Sequence, residues 1–154
     1  MIVWPLLSLA LLPSLLALST ERKGRQTSEF ETQLERLLET SGDLTLVQIR
    51  EKVDELVAGT DEETRKNHEA WKVEQHKRDN ARRERIKNAL LSLSRPAQAK
   101  LLRVIFIQED EELTQNEKRS RLNEISRSLP SEIRRELVDK LKDADIFAEF
   151  GFFQ

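Results

Sequence analysis

The chain has 154 residues, with 26 basic and 28 acidic side chains, a net charge of −2, and neither cysteine nor tyrosine. So even a charge balance excludes a global field that would draw the protein to nucleic acid or an anionic membrane, and the missing cysteines exclude a disulfide framework. Four glycines among long Glu/Lys/Arg/Leu stretches are the composition of helix and not of sheet.

Residues 1–19, MIVWPLLSLALLPSLLALS, carry no charged side chain, and Glu21, Arg22, Lys23 and Arg25 follow at once. Ala17-Leu18-Ser19 places small residues where a signal peptidase inspects, so a secretory signal peptide cleaved after Ser19 is expected, with an extracellular product. A membrane span needs ~20 consecutive apolar residues. This run is shorter and Pro13 interrupts it, so no stable membrane span is expected. Residues 20–28 read as a flexible N-terminus. No Asn-X-Ser/Thr sequon is present, because Asn67, Asn80, Asn88, Asn116 and Asn123 all lack the hydroxyl residue two on.

The first helix is predicted over about 29–39, with Phe30, Leu34, Leu37 and Leu38 on one face and Gly42 just past its end. The second covers about 46–58 and buries Leu46, Ile49, Val53, Leu56 and Val57. Residues 60–88 hold few apolar side chains, and no stripe continues through 74–85. Asp61, Glu62 and Glu63 open that segment while Arg82, Arg83, Arg85 and Lys87 close it, which complements a helix dipole at both ends. It reads as a long exposed helix or a partly frayed connector. A fourth helix is predicted over about 95–110, behind a Ser94 cap and Pro96. Its centre, Leu101 to Ile107, is β-branched enough for a strand, yet no turn residue separates it from Ala97-Gln98-Ala99. A fifth covers about 115–128, burying Leu122, Ile125 and Leu129, and a sixth begins near Pro130 with Ile133, Leu137 and Leu141 four apart. Capping boxes are read at Ser28/Glu31, Thr45/Gln48, Thr60/Glu63 and Thr114/Glu117.

Two stretches repeat: GDLTLVQIREKVDELV at 42–57 and EELTQNEKRSRLNEIS at 111–126 superpose Thr45 on Thr114, 69 residues later. The expected fold is therefore an all-α bundle of about five to six helices. It is built from two similar helix-loop-helix hairpins, a degenerate EF-hand-like pair, joined by a long charged helix. The domain runs over 29–143 and an aromatic tail over 144–154. A calcium loop needs a turn-forming glycine and a closing bidentate glutamate. Set in that frame, the glycine positions hold Leu44 and Leu113, and the glutamate positions hold Arg50 and Arg119. A cation at that place repels Ca²⁺, so calcium is not expected. A weakly held, hydrated Mg²⁺ on Glu109-Asp110-Glu111-Glu112 is the one metal these residues allow.

The run from Ala89 to Leu141 resembles the nematode SXP/RAL family of secreted antigens. Ser94 opens a helix, Asp110 to Leu113 form an acidic bend with a leucine, and Leu129-Pro130 precede Ile133-Arg134-Arg135-Glu136-Leu137. The upstream DLTLVQIREKVDELV is similar to the family's first motif, so the resemblance spans about 29–141. It implies an all-helical, EF-hand-like domain without working calcium loops, exported by a nematode, with no established biochemical activity and no catalytic residue. The basic 77–87 stretch and the phenylalanine-rich end depart from it.

The residues point away from an enzyme, since there is no cysteine nucleophile and no Gly-rich loop to cradle phosphate. No cofactor is expected. His68 and His76 read as solvated residues on a polar helix. Lys77, Arg78, Arg82, Arg83, Arg85 and Lys87 are interrupted by Asp79 and Glu84, so they read as a salt-bridged face and not as a nucleic-acid surface. Two roles remain. The first is an interaction or antigen role toward a protein partner, with self-association through the tail. The second is carriage of a fatty acid or other apolar ligand, with Phe106, Phe147, Phe150, Phe152 and Phe153 as candidate lining or docking residues.

Overall fold

Both hairpins of the repeat start their second helix with the same reciprocal cap. In the computed structural model, which describes residues 29–144, α1 (Glu29–Thr40) ends in a 3-10 turn (Ser41–Asp43) and α2 (Leu46–Ala58) follows. Gln48 N–H donates to Thr45 Oγ1 at 3.3 Å, and Thr45 N–H donates to Gln48 Oε1 at 2.9 Å. Thr114 and Glu117 repeat the pattern at 3.3 and 2.8 Å, between α4 (Arg95–Glu109) and α5 (Gln115–Ser128). Each box satisfies N–H groups that a helix start leaves without intrahelical partners. The leader, the 20–28 segment, the Ser28 cap and the tail residues Phe147, Phe150, Phe152 and Phe153 lie outside the described residues.

The two threonines superposed by the repeat meet in space. Thr45 and Thr114 form an isolated antiparallel bridge, and Gln115 N–H donates to Leu44 O at 3.1 Å. Asn116 Nδ2 donates across the same junction to Asp43 Oδ1 at 2.8 Å. A Cβ at Gly42 would come within 2.7 Å of that Asn116 nitrogen, so any larger residue there would displace the Asn116 amide from its bond to Asp43.

Between the hairpins, α3 (Glu62–Ser92) is one continuous helix of 31 residues, so the frayed-connector reading gives way to an unbroken rod. Few side chains pack its exposed length, and i,i+4 pairs such as Glu62–Lys66 at 2.7 Å and Glu74–Arg78 at 3.5 Å help hold it. Each such pair contributes only ~0.2–0.5 kcal/mol. The expected Thr60/Glu63 box does not form. Asp61 is the cap and accepts from Thr64 N–H at 2.8 Å, while the Thr60 hydroxyl turns back to Val57 O at 2.6 Å. Thr60 thus closes α2, and the stronger capping residue opens α3.

The Leu101–Ile107 stretch is helical, with Ala97, Leu101 and Val104 completely buried on one face of α4. They join Ile86, Ala89, Leu122, Ile125, Leu137 and Leu141 in the larger of two core clusters. The smaller cluster belongs to the first hairpin and holds Leu34, Leu37, Ile49, Val53 and Val57. Six α-helices and no strand occur among the described residues, which makes the fold all-α. None of these helices is long and apolar enough to cross a membrane.

One cap is not local. Ser94 precedes α4, but its hydroxyl does not cap its own helix. Instead Glu136 of α6 (Ser131–Asp143) accepts from Ser94 N–H at 2.5 Å and from Ser94 Oγ at 2.7 Å. These two hydrogen bonds hold the Glu136 carboxyl below the usual glutamate range. Because folding lowers that ionisation, the contact's contribution is complete above the unfolded carboxylate range and is lost as pH falls through the folded value. Glu136→Gln should therefore melt a few degrees lower at neutral pH and show a shallower acid-side decline than the parent. Identical pH profiles in thermal melts would show that the contact contributes nothing.

Candidate functional site: a groove under the long helix

After the turn at Gly59–Asp61, α3 runs back along α2 and brings His68 against Asp54. His68 Nε2 lies 3.0 Å from Asp54 Oδ1, and the imidazole stacks on Trp71 with ring centroids 5.6 Å apart and planes 16° from parallel. His68 is therefore only 3% exposed, which corrects its reading as a solvated residue; His76 is exposed as expected. The signal was Trp71, one turn on, which supplies the aromatic surface that a polar helix otherwise lacks. Lys72 Nζ reaches Glu69 at 2.6 Å and Asp54 at 3.6 Å. The Glu69 hydrogen bond chiefly, with help from Asp54, holds the Lys72 ammonium above its ordinary range.

Over residues 74–85 the helix has no apolar stripe with which to close on its neighbours. A groove of about 490 Å³ remains between α2, α3 and the end of α4. Its apolar wall is Leu46, Ile49 and Val53 with Trp71, and its polar end is Gln75, Asp79, Arg82 and Arg83 facing Gln108 and Glu109. Within it, His68 Nδ1, Trp71 Nε1 and Gln108 Oε1 are buried without a hydrogen-bond partner. Only one other side-chain atom among the described residues shares that condition, Gln115 Nε2. Buried polar groups are otherwise paired as a rule, so this clustering marks the groove.

The acidic bend after α4 has part of its counter-charge built in. Lys118 is 6% exposed and its ammonium donates to Gln108 O at 2.9 Å, while Arg50 lies 3.8 Å from Glu111. Burial pushes the Lys118 ammonium below the ordinary lysine range, and Asp110 partly opposes that. Sequence reasoning named Arg50 and Arg119 here and passed over Lys118. It shares a helix face with the buried Leu122 and Ile125, which was the available sign. Among the described residues no group of three or more His, Asp or Glu converges as a metal site.

Phe106 does not line the groove. It is 70% exposed on α4, with Leu102, one turn earlier, at 39%. Of the basic stretch, Arg78 and Lys87 pair with Glu74 and Glu84, and Arg82 and Arg83 face the groove. No protein-family model, no curated protein and no solved structure matches the chain.

Proposed function

We propose that this chain is a secreted, non-enzymatic helical protein of the nematode SXP/RAL antigen type, acting in the extracellular space by binding another protein. The observation that carries the binding role is the pair Leu102 and Phe106, two large apolar side chains exposed one turn apart on a single face of α4. The charge-free leader and the order of the motifs support secretion and the family. The junction at Thr45 and Thr114 supports an EF-hand-like pairing of the hairpins. Arg50 and Lys118 already offset part of the charge of the acidic bend, so a magnesium-binding role is the weakest of the three readings. Replacing Leu102 and Phe106 together by serine should leave the melting temperature essentially unchanged, because both sites are exposed. The same variant should lose a protein captured from extracellular fluid by the parent; equal capture by both chains would set this face aside. The second reading is a carrier of a small apolar ligand, favoured by the groove and its three unpartnered polar atoms.

A further inference from the structure

We infer that the groove takes a small amphiphile whose apolar body lies against Trp71, Ile49 and Val53 and whose uncharged, hydroxyl-bearing end lies toward Arg82 and Gln108. This rests on the carrier reading and names its ligand class. The shape comes first. From His68 to Arg83 the helix face on the groove rises roughly 22 Å, at ~1.5 Å per residue. It passes from an aromatic, apolar end to a polar one. A ligand that follows the groove is apolar at one end and polar at the other.

Charge then selects the polar end. Four cationic and four carboxylate side chains line the groove. Asp54 is engaged by His68 and Lys72, and Glu111 by Arg50. The far end sets Arg82 and Arg83 against Asp79 and Glu109, again in balance. A ligand carrying a net charge meets no surplus of the opposite sign, so its desolvation is left uncompensated. An uncharged polar group has no such penalty.

The unpartnered atom at the polar end, Gln108 Oε1, selects the chemistry of that group, because it can only accept. A hydroxyl can donate to it, whereas an ionised carboxylate and a quaternary ammonium carry no hydrogen to donate. Gln108 Oε1 is shut off from solvent, so rotation of its side chain accompanies its engagement.

The full chain carries only Trp4 and Trp71, so Trp4→Phe leaves Trp71 as the sole indole reporter. Titration with monolauroylglycerol, laurate and dodecyltrimethylammonium, each below its micelle-forming concentration, compares three polar ends on one chain length. Monolauroylglycerol should shift Trp71 emission saturably and bind about tenfold tighter than either ion, a difference of ~1.4 kcal/mol. Asp79→Lys, at an exposed position of the polar end, should reverse the order in favour of laurate. Binding of either ion as tight as that of the glycerol ester, or an order unmoved by Asp79→Lys, overturns the inference and leaves a carrier of other specificity. If no probe moves Trp71 emission, the carrier reading falls with it.

Discussion

Leu137→Ala should destabilise the protein by about 2–5 kcal/mol, the range for removing a completely buried leucine and leaving a partly relaxed cavity. Leu137 is 0% exposed and sits in the larger cluster with Leu101, Val104 and Leu141, all equally closed to solvent. That cluster is where α4, α5 and α6 meet the end of α3. With no cysteine to cross-link the chain, helix packing carries the stability, and the loss is a large share of the ~5–15 kcal/mol that domains possess. The measurement is urea unfolding followed by helical circular dichroism. The midpoint should fall with the slope unchanged, because the surface exposed on unfolding is the same. Leu102→Ala, on the outer side of α4, is the matched control and should move the midpoint little. Equal shifts for the two variants would mean that Leu137 is not a core residue.

What the sequence disclosed is local or repeated. Thr45 and Gln48, or Thr114 and Glu117, stand at the fixed offset that lets a side-chain oxygen meet a helix-start N–H, and both boxes form. Superposing Thr45 on Thr114 marked equivalent positions of two hairpins, and those positions are the ones that pair. The same rule failed at Thr60, where two neighbouring residues competed for one helix start and aspartate took it. What stayed hidden depends on chain that is distant in sequence. Glu136 caps Ser94 from 42 residues away, and His68 is buried only because α3 doubles back onto Asp54. The groove was half visible: the break in the apolar stripe over 74–85 is its polar end, but which helices would leave the gap open is a tertiary fact. Of the five phenylalanines singled out, Phe106 is placed and faces solvent, away from that gap.

Val73→Pro should separate the two cores. Val73 is 59% exposed near the middle of α3, so the substitution removes almost no packing and acts through the backbone. Proline lacks the N–H that would bond to the carbonyl of Glu69 and its ring collides with that carbonyl, at a cost of ~3 kcal/mol or more. The helix carries His68 and Trp71 on one side of the break, and Ile86 and Ala89 of the larger cluster on the other. The first hairpin's cluster holds five buried residues against eleven in the larger one, so it has less to hold it once the rod is broken. Amide exchange over residues 30–58 should accelerate first, while 97–141 keep their protection and the thermal transition broadens or splits. Val73→Ala at the same exposed site should leave one transition near the parent's. Both clusters melting together in the proline variant would place the coupling at the Thr45–Thr114 bridge, where backbone and Asn116 contacts join the hairpins independently of the helix.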